Sequence, residues 1–284
     1  MIHDTGVKAK AGAFYALHQR PGAFIIPNPW DRGTARLLAH LGFEALATTS
    51  MGHAFSRGQR DGSLSREETF ANAADIVGAT ALPVSADLEN GFGDAPEEAA
   101  KTIGLSAATG IVGGSIEDAS GRPDAPIYDL SLAVERVRAA VEAARSLPYK
   151  FTLTARAENY LHGRPHLDDT IKRLKAFEEA GADVLYAPGL RGREEILTLV
   201  RALNAPVNVV MGLQGVTMTR EELSEIGVKR ISVGSSLCRT ALAAFMAAAR
   251  EMHDEGSFGY AARAAAPKDM TVIFDRYARP ASGR

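Results

Sequence analysis

Short apolar runs alternate along the chain with longer stretches in which apolar residues recur at helical spacing. Eight runs read as strands: AFIIPN (23–28), FEALATTS (43–50), LPVSAD (82–87), IVGGSIED (111–118), KFTLTAR (150–156), ADVLYAP (182–188), PVNVVM (206–211) and RISVG (230–234). Short apolar runs bounded by turn residues are the mark of strands buried in a parallel sheet. Several are introduced by a glycine that closes the preceding helix: Leu41-Gly42-Phe43, Thr109-Gly110-Ile111, Ala180-Gly181-Ala182 and Ile226-Gly227-Val228. Glycine suits the left-handed position past a helix C-terminus, so the recurrence marks one repeated helix-to-strand junction. Capping-box spacing predicts helix starts at Ser65-x-x-Glu68, Asp94-x-x-Glu97 and Thr219-x-x-Glu222. Eight strand–helix units in one chain predict an α/β fold closed as a (β/α)8 TIM barrel; an open doubly wound sheet is the alternative.

Length and composition sharpen this picture. The 284 residues suit a single barrel spanning 1–284, and 46% hydrophobic residues allow it a large core. After the eighth run, residues 236–284 hold an Ala-rich helix and the apolar stretch FGYAARAAAPKDMTVIFDRY. Past a closed barrel such residues need a surface to cover, so this segment reads as a C-terminal helical extension for subunit packing, and the chain as a homo-oligomer. The 32 basic and 34 acidic residues are well mixed and leave a net charge of -2. No basic stripe marks a nucleic-acid partner or an anionic membrane, which leaves a small molecule. The one cysteine, Cys238, excludes an intrachain disulfide and a cysteine-based zinc site. With no apolar span of about 18 residues and no charged start followed by an apolar core, the expectation is a cytoplasmic protein.

Function in a barrel gathers at the C-terminal ends of strands, and here those ends are polar: Asn28 and Asp31, Ser50 and Gly52, Asp87 and Glu89, Glu117 and Asp118, Arg156 and Glu158, Asn208. Alternate residues of a strand share a face. Ser85, Asp87 and Glu89 therefore point one way, as do Gly113, Ser115 and Glu117, and Thr152, Thr154 and Arg156. Three strands thus turn their polar side to one place, the barrel mouth. Like charges held together need a cation, and an all-oxygen donor set selects Mg2+ or Mn2+. Barrel-rim ion pairing is the bland reading of the same acids.

Four motifs in register then carry a resemblance. TTSMGHAFSRGQRDG resembles a Ser-x-Gly-x-Ala loop closing on Gly-x-x-Asp, DLENGFG an Asp-x-Asp/Glu-x-Gly-aromatic-Gly metal loop, GGSIED an Ile-Glu-Asp strand end, and TARAE a Thr-Ala-Arg segment. Together, from about Gly22 to Leu242, they resemble the isocitrate lyase and phosphoenolpyruvate mutase superfamily, on its phosphonomutase-like side. The resemblance implies a barrel whose last helix is exchanged between subunits, a dimer of dimers, and a divalent ion holding a 2-oxo acid or its enolate. It implies that Asp87 holds Mg2+, with Glu89, Glu117 and Asp61 acting through water. Ser50 and the amides near Met51 and Gly52 would take a substrate carboxylate, and Arg156 the oxygen at C2. Glu117, Asp61 and Arg156 are the catalytic candidates, and Asn208 a further substrate contact.

The departures matter as much. Lyases of this family carry a Lys-Lys-Cys-Gly-His lid, whereas the segment here reads EDASGRPDAPIYDL, without Cys, Lys or His and without the mutases' Asn-bearing segment. Pro188 stands where the lyases have Glu and the mutases His. Lid acids and bases are then sought among Asp118, Asp124, Tyr128 and His53. Cys238 reads as a buried small hydrophobe, the Gly234-Ser235-Ser236 turn as a helix cap rather than a phosphate grip, and His162 and His166 as loop residues. The expectation is a Mg2+-dependent lyase-type enzyme that cleaves a C–C or C–P bond of a small 2-oxo acid or 2-hydroxy polycarboxylate through an enolate. A phosphoenolpyruvate-type phosphonomutase, a 2-oxo acid binding protein without turnover and a phosphosugar barrel enzyme are the alternatives.

Overall fold

Each of the eight apolar runs contributes one strand, and every neighbouring pair is parallel. A computed structural model of the chain describes residues 2–277. The strands are β1 (Phe24–Ile26), β2 (Leu46–Ala47), β3 (Val84–Asp87), β4 (Gly113–Glu117), β5 (Thr152–Arg156), β6 (Val184–Tyr186), β7 (Val207–Val210) and β8 (Arg230–Ser232). They pair in the order β1-β8-β7-β6-β5-β4-β3-β2. The Ala47 amide donates to the Pro27 carbonyl at 3.1 Å across the remaining seam between β1 and β2. The sheet is a nearly closed (β/α)8 barrel.

The helices are α1 (Ile2–Gln19), α2 (Arg32–His40), α3 (Ser50–Ser56), α4 (Arg66–Val77), α5 (Pro96–Ser106), α6 (Leu130–Arg145), α7 (Leu167–Glu179), α8 (Arg193–Ala202), α9 (Arg220–Glu225), α10 (Ser236–Arg250) and α11 (Pro267–Asp275). Gly42, Gly110, Gly181 and Gly227 all take left-handed φ, between 83° and 101°, at the helix-to-strand junctions. Capping boxes form at Ser65 and Thr219. The one expected at Asp94 does not: α5 begins at Pro96, with Ala95 before it and no side-chain cap. The fixed φ of proline sets the start one residue later than the spacing implies, and Asp94 is released to bond the Tyr128 hydroxyl.

Parity along the strands divides two environments. Outward residues such as Val84, Ala86, Leu88, Leu153 and Val209 pack with Ile76, Ile103, Val137, Phe177 and Leu199 from the helices into the main core. The barrel floor is closed by α1, whose Phe14 packs with Phe24, Ile26, Ala45 and Val112. Gly113 makes room for it, because a Cβ there would lie 2.9 Å from Phe14 Cε1 and 2.8 Å from the Thr152 carbonyl.

Among the described residues after β8, only Cys238 of α10 is buried. Helix α11 lies against α2 of the same chain, where Arg36 stacks on Tyr277. Residues 278–284 of the expected extension lie outside the described residues. Among the described residues no helix is long and apolar enough to cross a membrane.

Candidate active site

Arg156, the last residue of β5, projects into the barrel mouth and spends each of its nitrogens on a different carboxylate. Nη1 meets Asp87 at 2.8 Å, Nη2 meets Glu117 at 3.0 Å and Nε meets Glu158 at 2.8 Å. Register explains the meeting, since Arg156 pairs with Glu117 across β4 and β5, and Asp87 with Ser115 across β3 and β4. Burial works against the guanidinium, but Glu158, Glu117 and Asp87 outweigh it and hold the group charged, well above its ordinary range. The ring of Tyr186 lies 5.3 Å from it.

Asp87 is gripped from several sides. Ser50 donates to its Oδ2 from the hydroxyl at 2.9 Å and from the amide at 3.3 Å, and the Glu89 amide approaches Oδ1 at 3.4 Å. Ser50 Oγ also reaches Asp61 Oδ1 at 3.5 Å. Past Asp87 the chain turns sharply: Glu89 and Phe92 take left-handed φ of 48° and 61°, uncommon for residues with a side chain. That turn aims Glu89 at the mouth, and Arg136 holds its shape from behind. The Arg136 guanidinium donates to the Gly93 carbonyl at 2.6 Å and to the carbonyls of Asn90 and Asp94, with its plane 4.5 Å from the Tyr128 ring.

Ser50, Met51, Asp61, Glu89, Glu117 and Arg156 all line one cavity of about 880 Å³ at the mouth. Glu158 and His162 line it too. Asn208 does not; it is buried deeper, where it donates to Ser232 and accepts from Arg230. Nor does the Gly52 amide reach the cavity as a donor, because it caps onto Thr49 Oγ1 at 3.2 Å. Gly52 supplies space, since a Cβ there would lie 2.6 Å from Thr49 Cγ2. Two of the lid candidates, Asp118 and Tyr128, are occupied elsewhere, whereas His53 keeps Nδ1 buried without a partner. Asp118 is buried, pairs with Arg173 at 3.1 Å and accepts from the Glu158 amide, while Tyr128 donates to Asp94 at 2.6 Å. The lid instead turns Ala119, Ser120 and Gly121 to the cavity. His166 caps α7. Asn28 Oδ1 accepts from the Val233 and Gly234 amides, and the serine cap expected of the Gly234-Ser235-Ser236 turn does not form, because Ser235 Oγ turns to Met51 Sδ at 3.0 Å.

Five carboxylates, those of Asp61, Asp87, Glu89, Glu117 and Glu158, thus share one guanidinium. Burial, then the charges of Asp87 and Asp61, push Glu89 up to about 8. Burial also raises Glu117 well above the carboxylate range, and burial followed by Asp87 raises Asp61. Glu89 Oε1 is buried without a partner. A hard divalent cation answers both the excess charge and the orphaned oxygen. Among the described residues no three acidic, His or Cys side chains form a ready-made metal cage. Glu158 was not among the site residues assigned by motif; its shared parity with Arg156 was the available signal.

Comparison with known proteins gives the family of the chain. Residues 14–253 match the family model of phosphoenolpyruvate phosphomutase. An uncharacterised protein of Mycobacterium tuberculosis (strain H37Rv) is 32% identical over 85% of this chain and 89% of its own. The 2,3-dimethylmalate lyase of Eubacterium barkeri is 29% identical over 72% of each chain. A crystal structure from Burkholderia cenocepacia J2315, described as a candidate lyase/mutase, superposes with a TM-score of 0.93 at 60% identity, covering 95% of this chain and 97% of its own. Oxaloacetate acetylhydrolase in complex with its product oxalate superposes with a TM-score of 0.82 at 26% identity over 93% of each chain. Relatives of the fold and site are lyases, mutases and hydrolases, and this chain is an enzyme that belongs to the phosphoenolpyruvate phosphomutase family, within the isocitrate lyase/PEP mutase superfamily.

Proposed function

We propose that the protein is a Mg2+- or Mn2+-dependent lyase that breaks a C–C bond beside the carbonyl of a small 2-oxo acid, or of a 2-hydroxy polycarboxylate, by way of an enolate. The observation that carries this reading is the Arg156 guanidinium fixed by Asp87, Glu117 and Glu158 at the wall of the mouth cavity. In a 2-oxo acid, cleavage of the C3–C4 bond leaves its electron pair on C3, and the enolate carries the negative charge on the C2 oxygen. In a 2-hydroxy acid the C2 oxygen carries the charge beforehand, as the alkoxide whose collapse to a carbonyl expels the other fragment as the enolate. A guanidinium already oriented by three carboxylates meets that charge without reorganising, which is the main source of electrostatic rate enhancement.

Asp87, Glu89 and Glu117 would hold the divalent ion, with Asp61 acting through water; when bound, it supplies Lewis-acid polarisation of the carbonyl. The Ser50 hydroxyl and the Met51 amide, at the start of α3, would orient the substrate carboxylate. Oxaloacetate acetylhydrolase, similar in fold, holds oxalate, and 2,3-dimethylmalate lyase is similar in sequence, which supports a small di- or polycarboxylate substrate. C–C cleavage is favoured over C–P cleavage because Arg156 is assigned to the C2 oxygen and the other arginine lining the cavity, Arg66, pairs with Glu98 and the Gly91 carbonyl, which leaves no second guanidinium for a phosphonate dianion.

The test is incubation with Mg2+ and a panel of oxaloacetate, 2,3-dimethylmalate, methylisocitrate and phosphonopyruvate, following release of pyruvate, oxalate and phosphate. Oxo-acid release from a carbon substrate is expected. Phosphate release alone would move the assignment to C–P chemistry, and Mg2+-dependent binding without turnover would make the chain a binding protein. Asp87→Ala is expected to abolish Mg2+ affinity; unchanged affinity would refute the metal assignment.

A further inference from the structure

Below the active site the barrel interior is polar, where barrels of this kind are filled by branched apolar side chains. Its centre is Arg230, the first residue of β8, only 5% exposed. Its Nε donates to Asn208 Oδ1 at 2.8 Å and its Nη2 to Thr154 Oγ1 at 2.9 Å. Both partners are neutral, and Nη1 is buried with no partner.

The guanidinium nevertheless stays charged at neutral pH, because burial lowers it only to about 10. The one ionisable side chain whose charge would favour it is Tyr186, which burial pushes up to about 12 and so leaves neutral. On the floor side stands His18, whose imidazole burial and Arg230 hold neutral. A buried cation without a counter-charge is costly, by several kcal/mol after relaxation. Arginine has no means of escaping that cost by losing its proton.

Arg230 lines a second cavity of about 100 Å³ within the barrel, which Ser85, Ser115, Asn208 and Ser232 also line and which meets the active site at Asp87 and Arg156. Asp87 is no counter-ion for Arg230: it pairs with Arg156 and Ser50, and its charge does not act on Arg230. A water occupies about 30 Å³ of liquid volume, so the cavity has room for one small ion and a water or two. We propose that this cavity is a binding site for one small monovalent inorganic anion of chloride size, held by Arg230 Nη1 and the hydroxyls of Ser85 and Ser115. A sulfate or phosphate dianion is a poor match, offering four oxygens and two charges to a single free N–H corner.

The test uses the full-length protein. Crystals grown in sodium bromide are expected to show an anomalous peak within hydrogen-bond distance of Arg230 Nη1; a water there without anomalous signal overturns the proposal. At fixed ionic strength, replacing gluconate by bromide should raise the Tm, by roughly 3 °C for each tenfold rise in halide above saturation. In Arg230→Met that dependence should vanish. Equal midpoints for the wild type in the two salts also overturn it, and because both wild-type readouts stand alone, a variant that fails to fold leaves the proposal testable.

Discussion

One guanidinium facing three carboxylates through three nitrogens is an arrangement that lysine does not reproduce, because an ammonium is a point charge without the planar fork. Arg156→Lys is therefore expected to lower kcat/KM by about 10²–10³-fold with an unchanged far-ultraviolet circular dichroism spectrum; a loss under tenfold would remove Arg156 from the chemistry. The alternation of polar positions in VSADLE, GGSIED and FTLTAR was enough to bring Asp87, Glu117 and Arg156 to one mouth. Parity fixes the side of a sheet but not the depth along it, which is why Asn208 faces inward yet sits below the cavity beside Arg230. Glu158 escaped assignment because an acid two residues past a strand end also reads as a solvated loop residue; only the third nitrogen of Arg156 gives it a role. A second residue-scale outcome concerns His18, set edge-on between the Phe14 and Phe24 rings at 4.9 Å and 5.0 Å. Burial, with help from the charge of Arg230, holds its folded pKa down to about 3 against an ordinary 6.5. Below pH 6.5 the unfolded chain takes up a proton that the folded chain refuses. Stability from this residue is thus complete above that pH and lost as pH falls toward 3. Urea midpoints at about pH 7.5 and about pH 5 should separate more in the wild type than in His18→Phe, and equal separations would show that His18 does not govern the slope.

At the scale of elements, the metal-loop turn after β3 and the lid after β4 are fastened to each other rather than to solvent. Tyr128 bonds Asn90 and Asp94, Arg122 pairs with Asp94, and Arg136 clasps the loop carbonyls beneath them. The lid is closed on itself as well, through the Ala119–Ile127 bridge and the Ser120 amide to the Pro126 carbonyl at 2.9 Å. Asp94→Ala removes the partner of both Tyr128 and Arg122 while leaving the α5 cap untouched. Amide hydrogen exchange should therefore accelerate in 118–128 and 89–95 together. Exchange confined to the start of α5 would restore Asp94 as a cap. The Ser65 and Thr219 boxes were legible because nothing competes with them; at Asp94 the nearby proline overrode the spacing. Helix α1 was not legible, because Gly6 and Gly12 interrupt it and weaken its intrinsic helicity by about 1 kcal/mol each relative to Ala. Its helicity rests on Phe14 and Leu17 docking onto the barrel floor, a tertiary contact that periodicity does not report.

At the scale of the whole molecule, the barrel buries most apolar residues up to β8, with Leu41, Leu105 and Leu161 exposed singly, and a denser group of exposed ones lies beyond it. Phe245 is 70% exposed on α10, Met246 47% and Leu237 38%, while Phe258 in the following turn is 66% exposed. Scattered apolar residues on a surface need no explanation, but several large ones on one helix and its continuation exceed what a monomer ordinarily shows to water. The same surplus was legible in the sequence as apolar residues past the last strand, though which subunit face they meet was not, since pairing across subunits leaves no periodicity in one chain. We expect homo-oligomerisation through this face. Sedimentation equilibrium should give a mass that is a multiple of 30.2 kDa, an even multiple if dimers pair. Phe245→Glu, which places a charge at the most exposed position of the face, should shift the distribution toward the single chain without lowering the helical signal, because Phe245 makes little of its own chain's core. A wild-type mass of one chain across the micromolar range, or a variant whose mass matches the wild type, would mean that the α10 face is not the contact. The surplus apolar area would then need a partner of different sequence.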